Sequence, residues 1–543
     1  MMSKKINSPQ EQNWLEAKQF TPVKMALARQ ALEEIRDGSA VFDAIRRHPL
    51  PNGEGFIGKS VLVAAYRELV NQGEWEADPS LLAKIRLKPM RTLSGVTTVT
   101  VLTKPYPCPG KCIFCPDDIR MPKSYLPDEP GAMRALYHQF DPYEQVAARL
   151  ETLHTVGHPT EKVELLILGG TWNAYPKDYQ EWFIKRCFDA MNEIDSPSLV
   201  EAHILNESAS HRNVGLVIET RPDKVKPAEL DWLRYLGVTK IQMGVQSTDD
   251  RILEINQRGH TFAQTIQATA LLRAAGFKIV LHWMPNLLGA TPESDKRDFA
   301  RLWTFLGPDE IKIYPTQLLE ETGLFSFWER GAYQPYTTET LIQLIADLKP
   351  TIPRYCRVNR IIRDIPSTHV VEGNKRTSLR QDAQRELRRR GQHCECIRCR
   401  EVRGKPVKTD DLQFNDLVYS SGGAEEHFIS WVTRGDKLAG FARLSLPGPD
   451  SADTRIADLE GAAILREVHV YGQSLQVGEA QEGAAQHAGL GTRLLEKADK
   501  LARERGFRRI AVISAIGTRQ YYLDRGYQRG VRYLVKALSD VKA

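Results

Sequence analysis

The sequence contains no apolar run long enough to span a bilayer, no apolar stretch near its start, and no strong excess of either charge. The first absence excludes a helical membrane protein, since a spanning helix needs about 20 predominantly apolar residues. Met1 to Phe20 is polar, so no signal peptide is expected and the expected location is the cytoplasm. A net charge of +6 is too small to hold a polyanion by overall field, so any such contact needs local basic clustering. Cysteine is scarce, with eight residues in 543. They fall mostly in two tight groups, which suits metal binding in a reducing compartment better than disulfides. The length exceeds one ordinary domain, and a 42% hydrophobic, 26% charged composition is that of a globular chain with two or three domains.

The first cysteine group organises the chain. Cys108, Cys112 and Cys115 have the spacing C-x3-C-x2-C, in a Pro- and Gly-containing loop after the β-rich run Gly95–Leu102. A [4Fe–4S] cluster normally takes four thiolates, so three on one loop leave an iron open. An open iron that binds and reduces a chelating molecule is the condition for radical chemistry with S-adenosylmethionine (SAM). The alternative, a closed structural zinc site, wants four ligands, and no fourth Cys or His lies close by.

Residues 1–90 read as a small helical region, with helical apolar spacing in Lys24–Ile35 and Lys59–Val70. It ends in the basic strip Lys84, Arg86, Lys88 and Arg91, which suits either phosphate binding or a solvated face. From 91 to 365, strand-like runs alternate with helical ones. The strands are expected at Val96–Leu102, Val163–Leu168, Leu216–Ile218, Lys240–Val245, Lys278–His282 and Glu310–Tyr314. This alternation predicts a parallel sheet wound into a full or partial (β/α) barrel, with its chemistry at the C-terminal strand ends. Gly169 and Gly170, Glu219, Thr220 and Arg221, and more weakly Gln246 and Ser247, follow strands at such positions. They are candidates for holding SAM, with ordinary strand-end turns as the alternative.

Residues 366–408 form a basic segment, carrying Lys375, Arg376, Arg380, Arg385, Arg388–Arg390, Arg398, Arg400, Arg403, Lys405 and Lys408. It suits a phosphate-binding surface or a solvated charge run. Within it Cys394, Cys396 and Cys399 suit a small zinc site, with His393 or Cys356 as a fourth ligand. Residues 409–543 read as a second α/β unit. Its chemistry is expected at Glu467, Val468, His469 and Val470, and at the turn Gln486, Gly489, Leu490, Gly491 and Thr492. That turn enters a helix whose free N–H groups would take a pyrophosphate. Tyr522, and less strongly Tyr521, would donate a proton to a thiolate leaving group, unless they are simply core.

Several strings together resemble one family: Lys162–Thr171, Ile218–Asp223, Gly244–Ser247, Arg258-Gly-His260, Arg466–Gly472 and Thr518–Tyr522. The first half resembles a radical SAM domain and the second a GNAT-type acetyl-CoA domain. In this order they resemble the stand-alone form of the Elongator catalytic subunits, over about residue 85 to the C-terminus. The fold so implied is a partial, TIM-like radical SAM barrel fused to a GNAT-type α/β acetyltransferase domain, with the small helical N-terminal region helping to bind tRNA.

The implied activity is an acyltransferase-class one, carboxymethylation of C5 of the wobble uridine (U34) in a tRNA anticodon loop. SAM would be cleaved to a 5′-deoxyadenosyl radical that takes hydrogen from the acetyl methyl of acetyl-CoA. The carbon radical would add to uridine C5, and thioester hydrolysis would release CoA. An anticodon base is already open to a pocket, whereas a duplex base must first be flipped. By resemblance Cys108, Cys112 and Cys115 bind the cluster and Lys162 contacts acetyl-CoA. Glu467–Val470, Leu490–Thr492 and Tyr522 form the acetyl-CoA site. The chain departs from the family pattern at Asp117-Asp118, where Gly-Gly is usual, which adds two carboxylates beside the cluster. A homodimer and Elongator-type partner subunits are both compatible with the resemblance. Two other readings compete: a protein lysine acetyltransferase using only the second domain, and a non-catalytic tRNA-binding scaffold.

Overall fold

The computed structural model describes residues 20–51, 53, 55–88, 92, 94–403, 407, 409–471 and 489–538. Arg91, Lys405, Lys408 and Gln486 therefore lie outside the described residues. The chain forms two compact units, the smaller from residues 1–97 with 147–161 and the larger from 98–146 with 162–543.

The smaller unit is helical. Pro22–Arg36 starts where the Thr21 hydroxyl accepts from Lys24 N–H and Pro22 presets the first turn. Asp78 caps Pro79–Ile85 in the same way. Ala28, Leu32 and Ile35 pack in one core with Val61, Leu62 and Leu69 of Lys59–Asn71. Each such large side chain contributes about 1.5–3 kcal/mol on burial. Arg86, part of the expected basic strip, turns inward instead, and its Nε donates to the Gly157 carbonyl at 2.7 Å.

The larger unit holds two seven-stranded sheets. The first comprises β1 (Thr97–Leu102), β2 (Lys162–Leu168), β3 (Arg212–Thr220), β4 (Lys240–Gln246), β5 (Lys278–Trp283), β6 (Glu310–Ile313) and β7 (Arg357–Ile361) in sequential order. Strands β2 to β7 pair in parallel throughout, with helices between them, giving an open (β/α) barrel. The six expected strands are present within a few residues. β7 (Arg-Val-Asn-Arg-Ile) is an unforeseen addition, its alternation hidden by two arginines and an asparagine.

The second sheet contains β8 (Leu412–Ser421), β9 (Ala424–Thr433), β10 (Leu438–Pro447), β11 (Ala463–Val470), β12 (Arg509–Val512), β13 (Gln528–Arg529) and β14 (Leu534–Ala537). Its order is β13-β14-β12-β11-β10-β9-β8. All its pairs are antiparallel except β11–β12. Helix Leu490–Glu504 lies in the chain between β11 and β12, as a crossover between two parallel strands commonly does. In the segment expected as a basic linker, Leu379–Arg389 forms a helix and Ile397–Arg400 a single turn.

The two sheets are joined by buried charge. Asp309, fully buried just before β6, faces Arg466, Arg443 and Arg273 at 2.5, 3.4 and 3.9 Å. Glu426 completes the group against Arg466 at 2.7 Å and Arg273 at 3.2 Å.

Candidate functional site

The expected groups gather at two places. At the C-terminal end of the barrel, the chain leaving β1 forms the cysteine loop. Cys112 is buried, and Cys108 and Cys115 are half-buried. Gly110 N–H donates to Cys108 Sγ at 3.4 Å, and the Cys115 N–H to the Cys112 carbonyl at 3.3 Å. Arg258 binds Cys112 Sγ through Nη1 at 3.4 Å and the Gly244 carbonyl through Nη2 at 2.5 Å. The Cys115 thiol, with the Arg258 and Arg221 guanidiniums, favours the thiolate of Cys112 and lowers its pKa against the opposing effect of burial. The sequence offers Arg258 only as part of the Arg258-Gly-His260 string; its contact with the cysteine is visible only in three dimensions.

Gly169 follows β2 with φ 134°, and a Cβ there would overlap the Thr103 hydroxyl; Gly170 follows with φ 91°. Arg221 donates from Nε to Asp223 at 2.8 Å and from Nη2 to the Arg258 carbonyl at 2.8 Å. Its Nη1 lies so close to Gly110 that a side chain there would collide. Glu219 accepts from the Tyr125 hydroxyl at 2.8 Å, and Thr220 donates to Asn173 at 2.7 Å. The buried Arg221 Nη1 and Gln246 Oε1 have no hydrogen-bond partner among the described residues. Buried polar atoms are rarely left this way, so both fit a polar ligand seated over the cysteines. Asp117 and Asp118 are locally compensated, by Lys123 at 2.7 Å and Arg120 at 2.5 Å. The expected excess of negative charge beside the cysteines is thus offset.

The second place is the β11 edge. β11 pairs with β12 only over Ala463–Leu465, and the β10 register slips at Arg466, which bulges. Beyond it Glu467–Val470 diverges from β12, as bulges beside ligand sites commonly arrange. Helix Leu490–Glu504 starts from Gly489 at φ 64°, with no side-chain cap among the described residues, a geometry in which first-turn N–H groups can face an anion. A Cβ on Gly491 would lie 2.6 Å from the Tyr521 hydroxyl. Arg525 stacks on Tyr521 at 3.8 Å and bonds Thr492 Oγ1 at 3.3 Å.

Tyr522 sits edge-on between Tyr521 and Tyr527, with ring centroids 5.2 and 5.5 Å away. Burial pushes its phenol up, so it stays protonated and able to donate. Burial pushes His469 down to about 4, leaving it neutral, and its Nε2 is buried without a partner among the described residues. Glu467 is committed to Lys278 at 2.5 Å and Arg443 at 2.9 Å. That pairing removes it as a free base for amine acetylation. Glu460 is exposed in the turn before β11.

Lys278 is the first residue of β5, and Lys162 the first of β2. The β11 edge therefore adjoins the N-terminal end of the barrel, opposite the cysteine loop.

A third group lies apart from both. The sulfurs of Cys394, Cys396 and Cys399 all fall within 4.8 Å of one another. Neither His393, which is exposed, nor the buried Cys356 belongs to that group. Much of the surrounding basic charge is used internally: Arg380 donates to the Val358 carbonyl, Arg390 to Asp347, and Arg400 to Asp436. Lys375, Arg376, Arg385, Arg388 and Arg389 remain exposed.

An open barrel with a three-cysteine loop, joined to a sheet splayed beside an uncapped helix start, defines a radical SAM protein with an acetyltransferase domain. Family models agree: the Radical SAM superfamily matches residues 106–300, the Radical_SAM C-terminal domain 308–389, and the Acetyltransferase (GNAT) family 394–527. The chain is 42% identical to the tRNA uridine(34) acetyltransferase of Dehalococcoides mccartyi over 457 residues, covering 82% of this chain and 99% of that one. It is 34% identical to Elongator complex protein 3 of Homo sapiens over 477 residues, covering 84% and 87%. The solved structure of archaeal Methanocaldococcus infernus Elp3 matches with a TM-score of 0.72 at 37% identity, over 82% of this chain and all of that one. The chain belongs to the family of tRNA uridine(34) acetyltransferases and Elongator complex protein 3.

Proposed function

We propose that this protein modifies the wobble uridine of tRNA, attaching a carboxymethyl group to C5 with acetyl-CoA as carbon source and SAM as radical source. The observation that carries this reading is the pairing, in one compact unit, of a three-thiol loop under two unpartnered buried polar atoms with a GNAT edge bearing a protonated tyrosine. Cys108, Cys112 and Cys115 would hold a [4Fe–4S] cluster, which supplies the electron that cleaves SAM.

Around it Gly169 and Gly170 admit the methionine amine, Arg221 Nη1 meets its carboxylate, and Gln246 Oε1 accepts from the ribose. Glu219 is held in place by Tyr125 and shares that wall. Arg258 stabilises the thiolate form of Cys112 and fixes the loop to β4. At the other site, the N–H groups of Leu490, Gly491 and Thr492 hold the pyrophosphate of acetyl-CoA, and Tyr521 shapes the turn. Glu467–Val470 lines the acyl arm, Lys162 approaches the acyl end, and Tyr522 protonates the departing CoA thiolate. The exposed arginines of Leu379–Arg389 and the small helical unit take tRNA phosphates. Cys394, Cys396 and Cys399 supply three of the four ligands of a zinc ion, the fourth position being left to a further donor: three thiolates at about 2.3 Å from one ion lie about 3.8 Å apart, within their 4.8 Å separation.

The test is anaerobic incubation of the cluster-reconstituted protein with SAM, acetyl-CoA and tRNA, followed by nucleoside mass spectrometry. Carboxymethyluridine at position 34 together with 5′-deoxyadenosine is the expected result. Acetylated lysine without either product would overturn it.

A further inference from the structure

In the loop that leaves β1, prolines flank Tyr106 on both sides, in Lys104-Pro-Tyr-Pro-Cys108. Each proline fixes its own φ and keeps the residue before it extended. Lys104 and Tyr106 therefore sit on stiffened backbone just ahead of the first cysteine. Tyr106 is 38% exposed. Its ring leans on Tyr175, with centroids 4.8 Å apart and planes at 33°. Among the described residues no second ring meets it.

Tyr175 anchors the pair. It is buried, its hydroxyl donates to the Lys104 carbonyl at 2.8 Å, and Thr103 Oγ1 lies 2.8 Å from the same oxygen. It directly follows the single turn Trp172–Ala174. Thr171, which opens that turn, has its Oγ1 4.0 Å from Cys108 Sγ. From Tyr175 the rings continue away from the cysteines along helix Lys177–Asn192. Tyr179 stacks on Tyr175 at 5.1 Å with planes at 22°, and the exposed Trp182 lies 5.6 Å from Tyr179. Lys104 spans the run: its backbone N–H donates to the Tyr179 hydroxyl at 3.2 Å, and its Nζ lies over the Tyr179 ring, 4.9 Å from the centroid.

Single exposed rings are ordinary. A continuous run of four, with one end beside the cysteines and a cation across it, has the make-up of a surface for unpaired nucleotides: faces for bases and ammonium groups for phosphates. The charge agrees. Lys104 and Lys111 are exposed, and no acid occurs between Thr103 and Pro116. Of the acids just beyond, Asp117 pairs with Lys123, and Asp178 is next to the exposed Lys177.

We propose that the free face of Tyr106 stacks on an unpaired base of the anticodon loop next to the wobble uridine, with Lys104 taking the adjoining phosphate. This rests on the function proposed above and adds the residue that holds the loop over the cysteines. Single-stranded loops are bound in this manner, by splayed bases on aromatic faces. The stiffened platform loses little freedom on binding. A flat ring accepts any base, so Tyr106 positions the loop without reading its sequence.

The test measures binding of an anticodon stem-loop RNA to the cluster-loaded full chain as wild type, Tyr106→Ala and Tyr106→Phe, with iron content compared first. Tyr106→Ala is expected to weaken binding about 5- to 100-fold, and Tyr106→Phe, which keeps the ring face, to stay within about threefold. Stem-loops with an abasic nucleotide at each loop position in turn give a readout that a merely structural role would not move. At a position next to the wobble uridine, the missing base should weaken binding to wild type and make no further difference to Tyr106→Ala. Stem-loop affinity of Tyr106→Ala within about threefold of wild type overturns the platform. So does a loss that no abasic position cancels, which assigns the ring to packing. If Tyr106→Ala loses its iron, Tyr106→Leu, which keeps bulk without a π face, is read by the same criteria. Wild type that binds the stem-loop but makes no carboxymethyluridine overturns the proposed function and leaves the platform standing, whereas wild type that binds no stem-loop overturns both.

Discussion

Asp309 and Arg466 meet at 2.5 Å with both side chains fully buried, one at the foot of barrel strand β6 and the other in the bulge of β11. This pair joins the two sheets at the N-terminal end of the barrel, where the β11 edge also lies. Burial raises the cost of the charge, yet Arg466, Arg443 and Arg273 together hold the Asp309 carboxyl well below the usual range.

Asp309→Asn therefore leaves three buried guanidiniums short of a counter-charge, and the expected loss is about 3–5 kcal/mol of folding stability. The denaturant midpoint checks it. In the wild type this contribution is present above the unfolded carboxyl's pKa near 4 and is lost as pH falls toward the depressed folded value. A midpoint unchanged by the substitution would contradict the network's importance.

Much of the architecture was legible in the sequence because period-2 apolar runs and helical spacing are local signals. The cysteine triads, the Gly169-Gly170 pair and the Gly489–Thr492 turn were legible for the same reason. The polar strand β8 and the short strands β7, β13 and β14 were not, since their pairing depends on neighbours that local pattern does not reveal. Nor were the contacts of Arg258 with Cys112 and Lys278 with Glu467, which join residues 146 and 189 positions apart. The basic segment misled in part, because Arg380, Arg390 and Arg400 are spent on internal carbonyls and carboxylates.

A second prediction concerns Asp295, nearly fully buried and accepting from the Asn286 N–H at 2.9 Å and the Tyr336 hydroxyl at 3.0 Å. Burial pushes its carboxyl up to about 7. The folded state then binds a proton that the unfolded chain has released, so stability falls as pH rises from about 4 to 7. The loss is roughly 4 kcal/mol at 1.36 kcal/mol per pKa unit. Asp295→Asn should flatten this part of the stability–pH curve, as read by thermal unfolding at pH 5 and pH 8. An unaltered slope would refute the assignment.

Arg258 supports the cysteine loop without being a ligand. Arg258→Lys keeps the charge but loses the fork that spans Cys112 and Gly244. Iron content should stay near wild type while 5′-deoxyadenosine formation drops about 10–100-fold, the scale of lost outer-shell support. A variant equal to wild type in both would show the contact to be incidental.

The Cys394, Cys396 and Cys399 group predicts about one zinc ion per chain. Cys396→Ser should abolish it without changing iron or sulfide content, as elemental analysis would show. Equal zinc in variant and wild type would assign the metal elsewhere.

The central claim is that a radical generated over the first cysteine group acts on the methyl carried by the acyl thioester. It is tested most directly with acetyl-CoA trideuterated on the methyl group. The account predicts one deuterium in 5′-deoxyadenosine and two in the carboxymethyl group at position 34. Deuterium-free 5′-deoxyadenosine accompanying a full yield of modified uridine would contradict it.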